Sequence, residues 1–344
     1  MFLSRKHLLI AVLCLASLSL VAQNLPADIH ISNSDRVHFI AYGDTRFTDP
    51  ADTEAANPEV RRELVKAIAR AHPDFVTFSG DITYNGNNPN DWKVYDQETA
   101  VWREQHIRVF PALGNHDLHG DLMMSLANFF EHYPDLNHSR YYSVNTGNVL
   151  LLTLDSSLPE TSGAQGNWLM QKIEKLPANF DFVAIVLHHP PYTSSTDEEW
   201  FGSERSERAP EQALARFLEE RQQKMRARIV VFAGHVHNYE RHEHRGVTYF
   251  VSGGGGAHPD PIERKPTDLF QSSEINYHYI DVKIESGTMV ATMNRLEMKN
   301  GVASWTQPDR VTISTPAARH KLTTEARRHG DTQKHLPQMN ADKH

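Results

Sequence analysis

Five short apolar runs, each ending directly in a polar motif, limit the folds open to this chain. They cover residues 37–42, 74–78, 107–112, 182–187 and 229–232. Helical patterns separate them, and the clearest of these spans residues 58–71. Buried parallel strands alternate with crossover helices in this way. The pattern therefore predicts an α/β chain with two packed sheets flanked by helices.

The remaining elements follow from the same spacing of apolar residues. Further helices are predicted at residues 91–102, 122–130, 165–176 and 207–226. Further strands are predicted at residues 141–145, 149–154, 248–252, 279–284 and 288–295. One catalytic domain over residues 37–300 holds these elements. Residues 315–344 have few apolar residues and no periodicity, which predicts a disordered polar tail.

The first 22 residues have the composition of a secretory signal peptide. Arg5 and Lys6 give a positive start, residues 8–20 are apolar, and Ala22 is a small residue suited to cleavage. The apolar stretch is shorter than the roughly 20 residues that a spanning helix needs, which favours cleavage over an uncleaved anchor. The mature protein is therefore expected to be secreted or periplasmic. The sole cysteine, Cys14, lies in this leader, so no disulfide is expected.

The charge balance argues against binding to a nucleic-acid backbone. The chain has 35 Lys and Arg residues against 43 Asp and Glu residues, a formal net charge of −8 at pH 7. Proteins that bind such backbones need a basic stripe, and none is visible outside the tail. Any handling of phosphate groups must therefore be local, by a metal or by a small cluster of donors.

Polar motifs rich in Gly, Asp, Asn and His follow the apolar runs. They are Gly43-Asp44, Gly80-Asp81-Ile82-Thr83-Tyr84, Gly114-Asn115-His116-Asp117, His188-His189 and Gly234-His235-Val236-His237. Open α/β sheets place their ligands at the carboxyl ends of strands, so these side chains should meet. Their oxygen and nitrogen atoms suit iron, zinc or manganese, and such a set can hold two cations. Asp81 is the candidate bridge, because a carboxylate offers two oxygens.

The motif series resembles the calcineurin-like metallophosphoesterases over roughly residues 37–295. Within them, residues 233–241 and the tyrosine of the Gly80 motif look like purple acid phosphatases. The resemblance implies a four-layer αββα sandwich of two mixed β-sheets flanked by helices. It implies ferric iron on one ligand set, which consists of Asp44, Asp81, Tyr84 and His237. It implies divalent zinc, iron or manganese on a second set, which consists of Asp81, Asn115, His188 and His235.

The same resemblance assigns catalytic roles beside the metals. His116 would contact the phosphate and protonate the leaving group, and Asp117 would hold His116 in place. The histidine that large plant-type members have beyond the position of His188 is not evident here. Protonation of the leaving group then rests on His116 or on an unassigned group.

Three further residues stand beside the motifs. Arg46 occupies a position where many family members have a metal-binding histidine. A guanidinium has no lone pair to offer a metal, so Arg46 either binds the substrate phosphate or faces solvent. His258 follows four glycines and is a candidate substrate contact or part of a flexible turn. Side chains alternate along a strand, so His189 is expected to point to the side opposite His188 and to support the ligands or pack in the core instead of binding a metal.

The resemblance implies hydrolysis of phosphate monoesters by water activated at two metal ions, with a small phosphorylated substrate as the expected partner. A phosphodiesterase or nucleotidase on the same scaffold is the nearest alternative, because the motifs do not constrain the loops around residues 193–210 and 253–261. A non-catalytic protein that has kept the fold would lack ligands, whereas all seven positions are present. A purely structural metal site fits poorly, because such sites are usually four-coordinate zinc rich in cysteine.

Overall fold

The computed structural model describes residues 26–31, 34, 36–196 and 207–318. The predicted leader at residues 1–22 lies outside the described residues, and so does the predicted tail from residue 319 onward. The loop after His188 is described except for residues 197–206. No helix within the described ranges combines the length and the apolar character needed to cross a bilayer.

Two mixed sheets form the centre of the molecule. In spatial order, the first contains β1 (Asp28–His30), β5 (Tyr142–Thr146), β6 (Val149–Thr153), β7 (Phe182–Val186), β8 (Arg228–Ala233), β10 (Val247–Ser252) and β9 (Tyr239–His244). The second contains β13 (Val302–Thr306), β12 (Thr288–Lys299), β11 (Tyr277–Glu285), β2 (Arg36–Tyr42), β3 (Phe75–Phe78) and β4 (Arg108–Pro111), with β14 (Arg310–Ser314) paired to β12.

Helices connect the strands. They are α1 (Pro58–Ala71), α2 (Pro89–Glu98), α3 (Ala100–Glu104), α4 (Leu122–His132), α5 (Gly163–Glu174) and α6 (Ala209–Gln222), with a 3-10 helix at Pro134–Leu136. α1 spans the predicted residues because its start is well defined. Asn57 accepts hydrogen bonds from the N–H groups of Glu59 and Val60, and Pro58 occupies the first turn.

The two sheets pack face to face. Phe39 of β2 and Phe232 of β8 are buried and meet edge to face, with ring centroids 5.7 Å apart. α1 packs against β11 and β12 of the second sheet. Leu169 of α5 and Leu214 of α6 form a separate apolar cluster with residues of the first sheet. Helices thus cover the outer faces, which confirms the predicted four-layer sandwich.

Several element boundaries differ from the prediction. The second sheet continues through β13 and β14 to Ser314, beyond the predicted domain end at residue 300. Only alternate residues of β13 are partly buried, so it lacks a continuous apolar run. β9 carries mostly charged and histidine side chains, so the apolar pattern did not predict it. The helix predicted at 91–102 is two helices that separate at Thr99.

Candidate metal centre

The motif residues gather because they follow parallel neighbouring strands. β2, β3 and β4 lie side by side and parallel, and Asp44, Asp81 and Asn115 follow their carboxyl ends. β7 and β8 are parallel neighbours in the other sheet, and His188 and His235 follow them. The His235 N–H donates to Asp44 Oδ2 at 3.0 Å, which joins the ends of the two sheets.

Four ligand atoms converge around His188. Its Nε2 lies 2.9 Å from Asn115 Oδ1, 3.3 Å from Asp81 Oδ1 and 3.1 Å from His235 Nδ1. Ligand atoms around a tetrahedral cation with bonds of about 2.0–2.1 Å lie about 3.3 Å apart. The spacings therefore fit one cation held among these atoms.

The other ring nitrogen of His188 explains why this cluster suits a cation. Nδ1 lies 2.8 Å from the Ser79 carbonyl oxygen, which can only accept, so Nδ1 carries the proton and Nε2 presents a lone pair. Burial lowers the pKa of His188, although Asp81 acts in the opposite direction, so the ring favours its neutral form. The Nε2 lone pair faces the oxygens of Asn115 and Asp81, and these electron-rich atoms repel one another. A cation bound between them would attract all three.

A second group shares Asp81 with the first. Ligand atoms of Asp44, Asp81 and His237 lie within 4.8 Å of one another, and His237 Nε2 lies 3.6 Å from Asp44 Oδ1. His237 Nδ1 donates to the His258 carbonyl oxygen at 2.7 Å, which turns Nε2 towards the carboxylates. All three side chains are buried. The structure thus places Asp81 in both groups, as a bridging ligand requires.

The Asp81 carboxylate is the electrostatic centre of the site. Burial acts to raise its pKa, but the neighbouring His188 and His116 rings, the charge of Arg46 and the His116 N–H hold the pKa well below its usual range. The His116 N–H donates to Asp81 Oδ1 at 2.9 Å. Asp81 therefore stays ionised at neutral and mildly acidic pH, which is the state that a metal ligand needs.

Glycines next to the ligands leave room for them. A Cβ atom at Gly114 would overlap Asp81 Oδ1, and one at Gly234 would collide with Asp44 Oδ2. The ligands themselves are strained, since φ is +58° at Asp44, +53° at Asp81 and +70° at His235. Such backbone conformations cost about 1–3 kcal/mol each and cluster at functional sites.

Tyr84 and His116 lie together at the edge of the site. Their rings stack with centroids 5.3 Å apart, and Tyr84 is 36% exposed. His116 Nδ1 donates to the Tyr84 carbonyl oxygen at 2.7 Å, while Nε2 lies 4.0 Å from Asp81 Oδ2. Burial lowers the pKa of His116, Asp81 raises it and Arg46 lowers it again. The role of Tyr84 as an iron ligand stays a prediction.

Asp117 has a different position from the one expected. Its Oδ1 accepts the N–H groups of Ile82 at 2.9 Å and Thr83 at 3.2 Å, and its Oδ2 accepts the Gly114 N–H at 2.9 Å. Burial and the Asp81 charge raise the pKa of Asp117 to about 8, while the three N–H donors oppose this rise. Asp117 thus clamps the two ligand loops together, and the Tyr84 carbonyl, instead of Asp117, orients His116.

Arg46 faces the site and not solvent. One of its terminal nitrogens lies 3.5 Å from Asp81 Oδ2, and its side chain is only 14% exposed. The solvent-facing alternative for Arg46 is therefore wrong. His258 is exposed, and its ring Nε2 donates to the Thr53 carbonyl oxygen at 2.6 Å, so the link of His258 to the site runs through its own carbonyl and His237.

His189 lies beside the ligand His235, so its side chain does not point away from the ligands as strand alternation predicts, while its expected place next to a ligand holds. Its ring centroid is 4.3 Å from that of His235, and its Nδ1 lies 2.8 Å from Ser156 Oγ. The alternation rule fails here because β7 ends at Val186, before the two histidines. Asp260 was also missed, although its Oδ2 accepts the His237 N–H at 3.0 Å. No motif in the sequence surrounds Asp260.

A third buried group lies behind the loop that follows His188. Glu240 accepts the Thr193 hydroxyl and the Ser194 N–H, both at 2.6 Å, and lies 3.2 Å from His242 Nε2. Burial acts to raise the pKa of Glu240, but His242 and these donors lower it. Glu240 belongs to the stretch at residues 233–241 that carried the family resemblance. The structure shows that it anchors the loop.

Comparisons with known proteins agree with this arrangement. The calcineurin-like phosphoesterase family model matches residues 27–239. A probable cyclic nucleotide phosphodiesterase of Rhodococcus erythropolis is 30% identical over 168 residues, which cover 47% of this chain and 52% of that protein. Purple acid phosphatase 21 of Arabidopsis thaliana is 33% identical over 113 residues, which cover 32% of this chain and 24% of that protein.

The fold has a solved counterpart. A purple acid phosphatase from yellow lupin (Lupinus luteus) seeds matches 84% of this chain and 55% of that chain with a TM-score of 0.61, at 16% sequence identity. The chain spans about half or less of the length of the curated relatives named above. Since the family model covers more than half of the residues, the chain belongs to the calcineurin-like phosphoesterases, a family of metal-dependent phosphoester hydrolases with a dinuclear metal-binding fold.

Proposed function

We propose that this protein hydrolyses phosphate monoesters at a pair of metal ions, as acid phosphatases do. The observation that carries the proposal is the convergence of four ligand atoms, one each from His188, Asn115, Asp81 and His235. A second group that shares Asp81 provides for the second ion. The partial similarity to purple acid phosphatase 21 supports a phosphate monoester as the substrate.

The site supplies the groups that such a hydrolysis needs. Two bound cations would lower the pKa of a water molecule and polarise the phosphoryl oxygens. His116 is fixed by its Nδ1–H on the Tyr84 carbonyl, so a proton held at Nε2 can pass to the leaving oxygen. The N–H groups of Arg46 can bind a phosphate oxygen beside Asp81. Direct attack by water requires no covalent bond between the enzyme and the phosphoryl group.

The metal identities belong to the same proposal. Tyr84 with Asp44, Asp81 and His237 would hold ferric iron, since a phenolate and carboxylates are hard ligands. The neutral nitrogens of His188 and His235, with Asn115 and Asp81, would hold divalent zinc, iron or manganese. Neither group of described ligands includes a thiolate.

A phosphodiesterase on the same ligand set is the second candidate. The Rhodococcus erythropolis protein, the relative with the longer match, is named a probable cyclic nucleotide phosphodiesterase. Both reactions can use the same metal ligands, so the difference must come from the loops around them. The loop anchored by Glu240 at Thr193 is one of these.

Hydrolysis of an aryl phosphate monoester and of the matching diester distinguishes the candidates. The chain without residues 1–22 is supplied with iron, zinc or manganese and assayed from pH 4 to pH 9. We expect preference for the monoester, with most activity on the acid side. Preference for the diester would replace the proposal by a phosphodiesterase, and hydrolysis of neither with any metal would overturn both.

Export is proposed from residues 1–22 alone. Expression of the full chain in a bacterial host, followed by fractionation and mass determination, tests it. We expect a mature form that begins near residue 23 in the periplasm or medium. A full-length protein that stays in the cell would contradict export and leave the hydrolase proposal intact.

A further inference from the structure

Arg46 keeps hydrogen-bond donors free beside the metal ligands. Its side chain is 14% exposed, and one terminal nitrogen makes a long contact of 3.5 Å to Asp81 Oδ2. Its Nε is buried and has no hydrogen-bond partner among the described residues. A buried donor without a partner costs free energy, which a bound oxyanion can recover. The guanidinium is thus available to a phosphate group, provided that it is held in place.

The backbone of Arg46 needs outside contacts to keep its conformation. Its φ is +46°, a left-handed conformation that is costly for a residue with a side chain. Its N–H donates to the Asp81 carbonyl oxygen at 3.0 Å, which fixes the peptide group before Arg46. The peptide group after Arg46 needs a partner as well, because both groups set the direction in which the side chain leaves the backbone.

Arg61 of α1 supplies that second partner. Its Nη1 donates to the Arg46 carbonyl oxygen at 3.1 Å, and its Nη2 donates to the Thr48 carbonyl oxygen at 3.2 Å. Its guanidinium carbon lies 4.9 Å from the centroid of the buried Phe47 ring. Arg61 therefore contacts three successive residues and holds residues 46–48 in one conformation.

Glu98, the last residue of α2, orients Arg61. Arg61 Nε donates to Glu98 Oε2 at 2.7 Å, and Arg61 Nη2 donates to Oε1 at 2.9 Å. The two side chains are 1% and 8% exposed. A buried ion pair adds little stability over apolar residues of similar volume. A guanidinium, in contrast, offers planar donors to two carbonyls and a carboxylate at once, which suits the positioning of a neighbouring segment.

We infer that Arg61 is a positioning residue that acts through Arg46: paired with Glu98, it holds the Arg46 guanidinium where it binds a phosphoryl oxygen of the substrate. The inference rests on the phosphate-binding role of Arg46 in the proposed function. Arg61 is buried and uses its Nε, Nη1 and Nη2 within the protein, so it does not touch the substrate. It reduces the conformational freedom that Arg46 would otherwise lose on binding.

Binding of inorganic phosphate tests this inference without turnover. The chain without residues 1–22 is loaded with zinc, freed of excess metal by gel filtration and titrated with phosphate in a calorimeter. Arg61→Lys keeps the positive charge but cannot reach both carbonyl oxygens. We expect it to weaken phosphate binding at least fivefold when Arg46 is present and less than twofold in an Arg46→Met background. Unchanged binding in Arg61→Lys, or equal weakening in both backgrounds, would overturn the inference.

Two further variants secure the result. Glu98→Gln keeps Arg61 but removes the carboxylate charge, and it should weaken phosphate binding at least threefold, again only when Arg46 is present. It decides the question if Arg61→Lys does not fold, and unchanged binding would then overturn the inference. Arg241→Lys is the matched control, because Arg241 also forms a bidentate pair, with Asp309 at 2.7 and 3.1 Å. It should bind phosphate as wild type does, and weakening equal to that in Arg61→Lys would count against a specific role of Arg61.

Hydrolysis assays on the same proteins keep this inference apart from the proposed function. If phosphate binding follows the expected pattern but no phosphate ester is hydrolysed, the proposed function is overturned and the role of Arg61 remains. If monoesters are hydrolysed but phosphate binding is unchanged in both Arg61→Lys and Glu98→Gln, the role of Arg61 is overturned and the proposed function remains.

Discussion

His188 Nε2 and Asn115 Oδ1 lie 2.9 Å apart although 73 residues separate them in the chain. His188 follows β7 of the first sheet, and Asn115 follows β4 of the second. The contact can therefore form only when both sheets have packed. Two buried lone pairs meet there, which costs stability until a cation binds between them.

Asp117→Asn should destabilise the fold, because the change replaces one acceptor oxygen by an amide NH₂ that faces a backbone N–H. Three N–H groups depend on this carboxylate, from Ile82, Thr83 and Gly114. We expect a loss on the order of 3 kcal/mol in the free energy of unfolding, measured by urea titration of the metal-free protein at about pH 9, above the pKa of Asp117, where its carboxyl is ionised. Asp135→Asn, which affects an exposed pair with Arg108, is the control and should change little. Equal stability of both variants would contradict the clamp.

Tyr84→Phe tests the iron ligand. A phenolate bound to ferric iron absorbs visible light, so the iron-loaded protein should be violet to pink and the variant should lose that band. The ring is 36% exposed and stacked on His116, so its removal should leave the fold intact. Tyr141→Phe is the control, since that ring packs against Trp168. A colour that survives in Tyr84→Phe would show that another group binds the iron.

Glu160 should make stability depend on pH. Burial, and then the neighbouring Glu211 carboxylate, raises the pKa of Glu160 to about 8. Unfolded, the group returns to about 4.5. Between these values the folded chain holds a proton that the unfolded chain has lost, so the free energy of unfolding falls as pH rises. Glu160 therefore weakens the fold at neutral and alkaline pH.

Glu160→Gln removes this dependence. We expect the free energy of unfolding of the variant, relative to wild type, to increase from pH 5 to pH 8 with a slope of up to about 1.4 kcal/mol per pH unit. Glu131→Gln, at an exposed position in α4, should follow the wild-type curve. Parallel pH curves for wild type and Glu160→Gln would show that the two carboxyls do not interact in this way.

The main architecture could be predicted because each buried strand is a continuous apolar run. α1 has the predicted ends, since Asn57 and Pro58 mark its start in the sequence itself. β9 and β13 could not be predicted in this way, because β9 consists mostly of charged and histidine residues and β13 alternates exposed with partly buried residues. Edge and hairpin strands of this kind depend on partners elsewhere in the chain, and a local pattern does not contain those partners.

The site shows the same limit. Asp44, Asp81, Asn115, His188, His235 and His237 could be named because each stands directly after a buried strand. Their contacts could not be predicted, since these depend on where a loop turns after its strand. The chain leaves β7 at Val186, which brings His189 into the site. The Asp117 side chain accepts the Gly114 N–H of its own loop and therefore does not hold the His116 ring. Asp260 has no motif and meets His237 only through tertiary structure.

The most direct test of phosphoester hydrolysis at this centre compares the metal-loaded wild-type chain with Asn115→Ala on an aryl phosphate monoester. Asn179→Ala, at an exposed position, is the matched control. We expect Asn115→Ala to lower kcat/KM about 100-fold or more, because a metal ligand is lost, while its free energy of unfolding by urea in chelator is not reduced. Asn179→Ala should match wild type. Activity near wild type in a folded Asn115→Ala variant would contradict the assignment of this cluster as the catalytic centre.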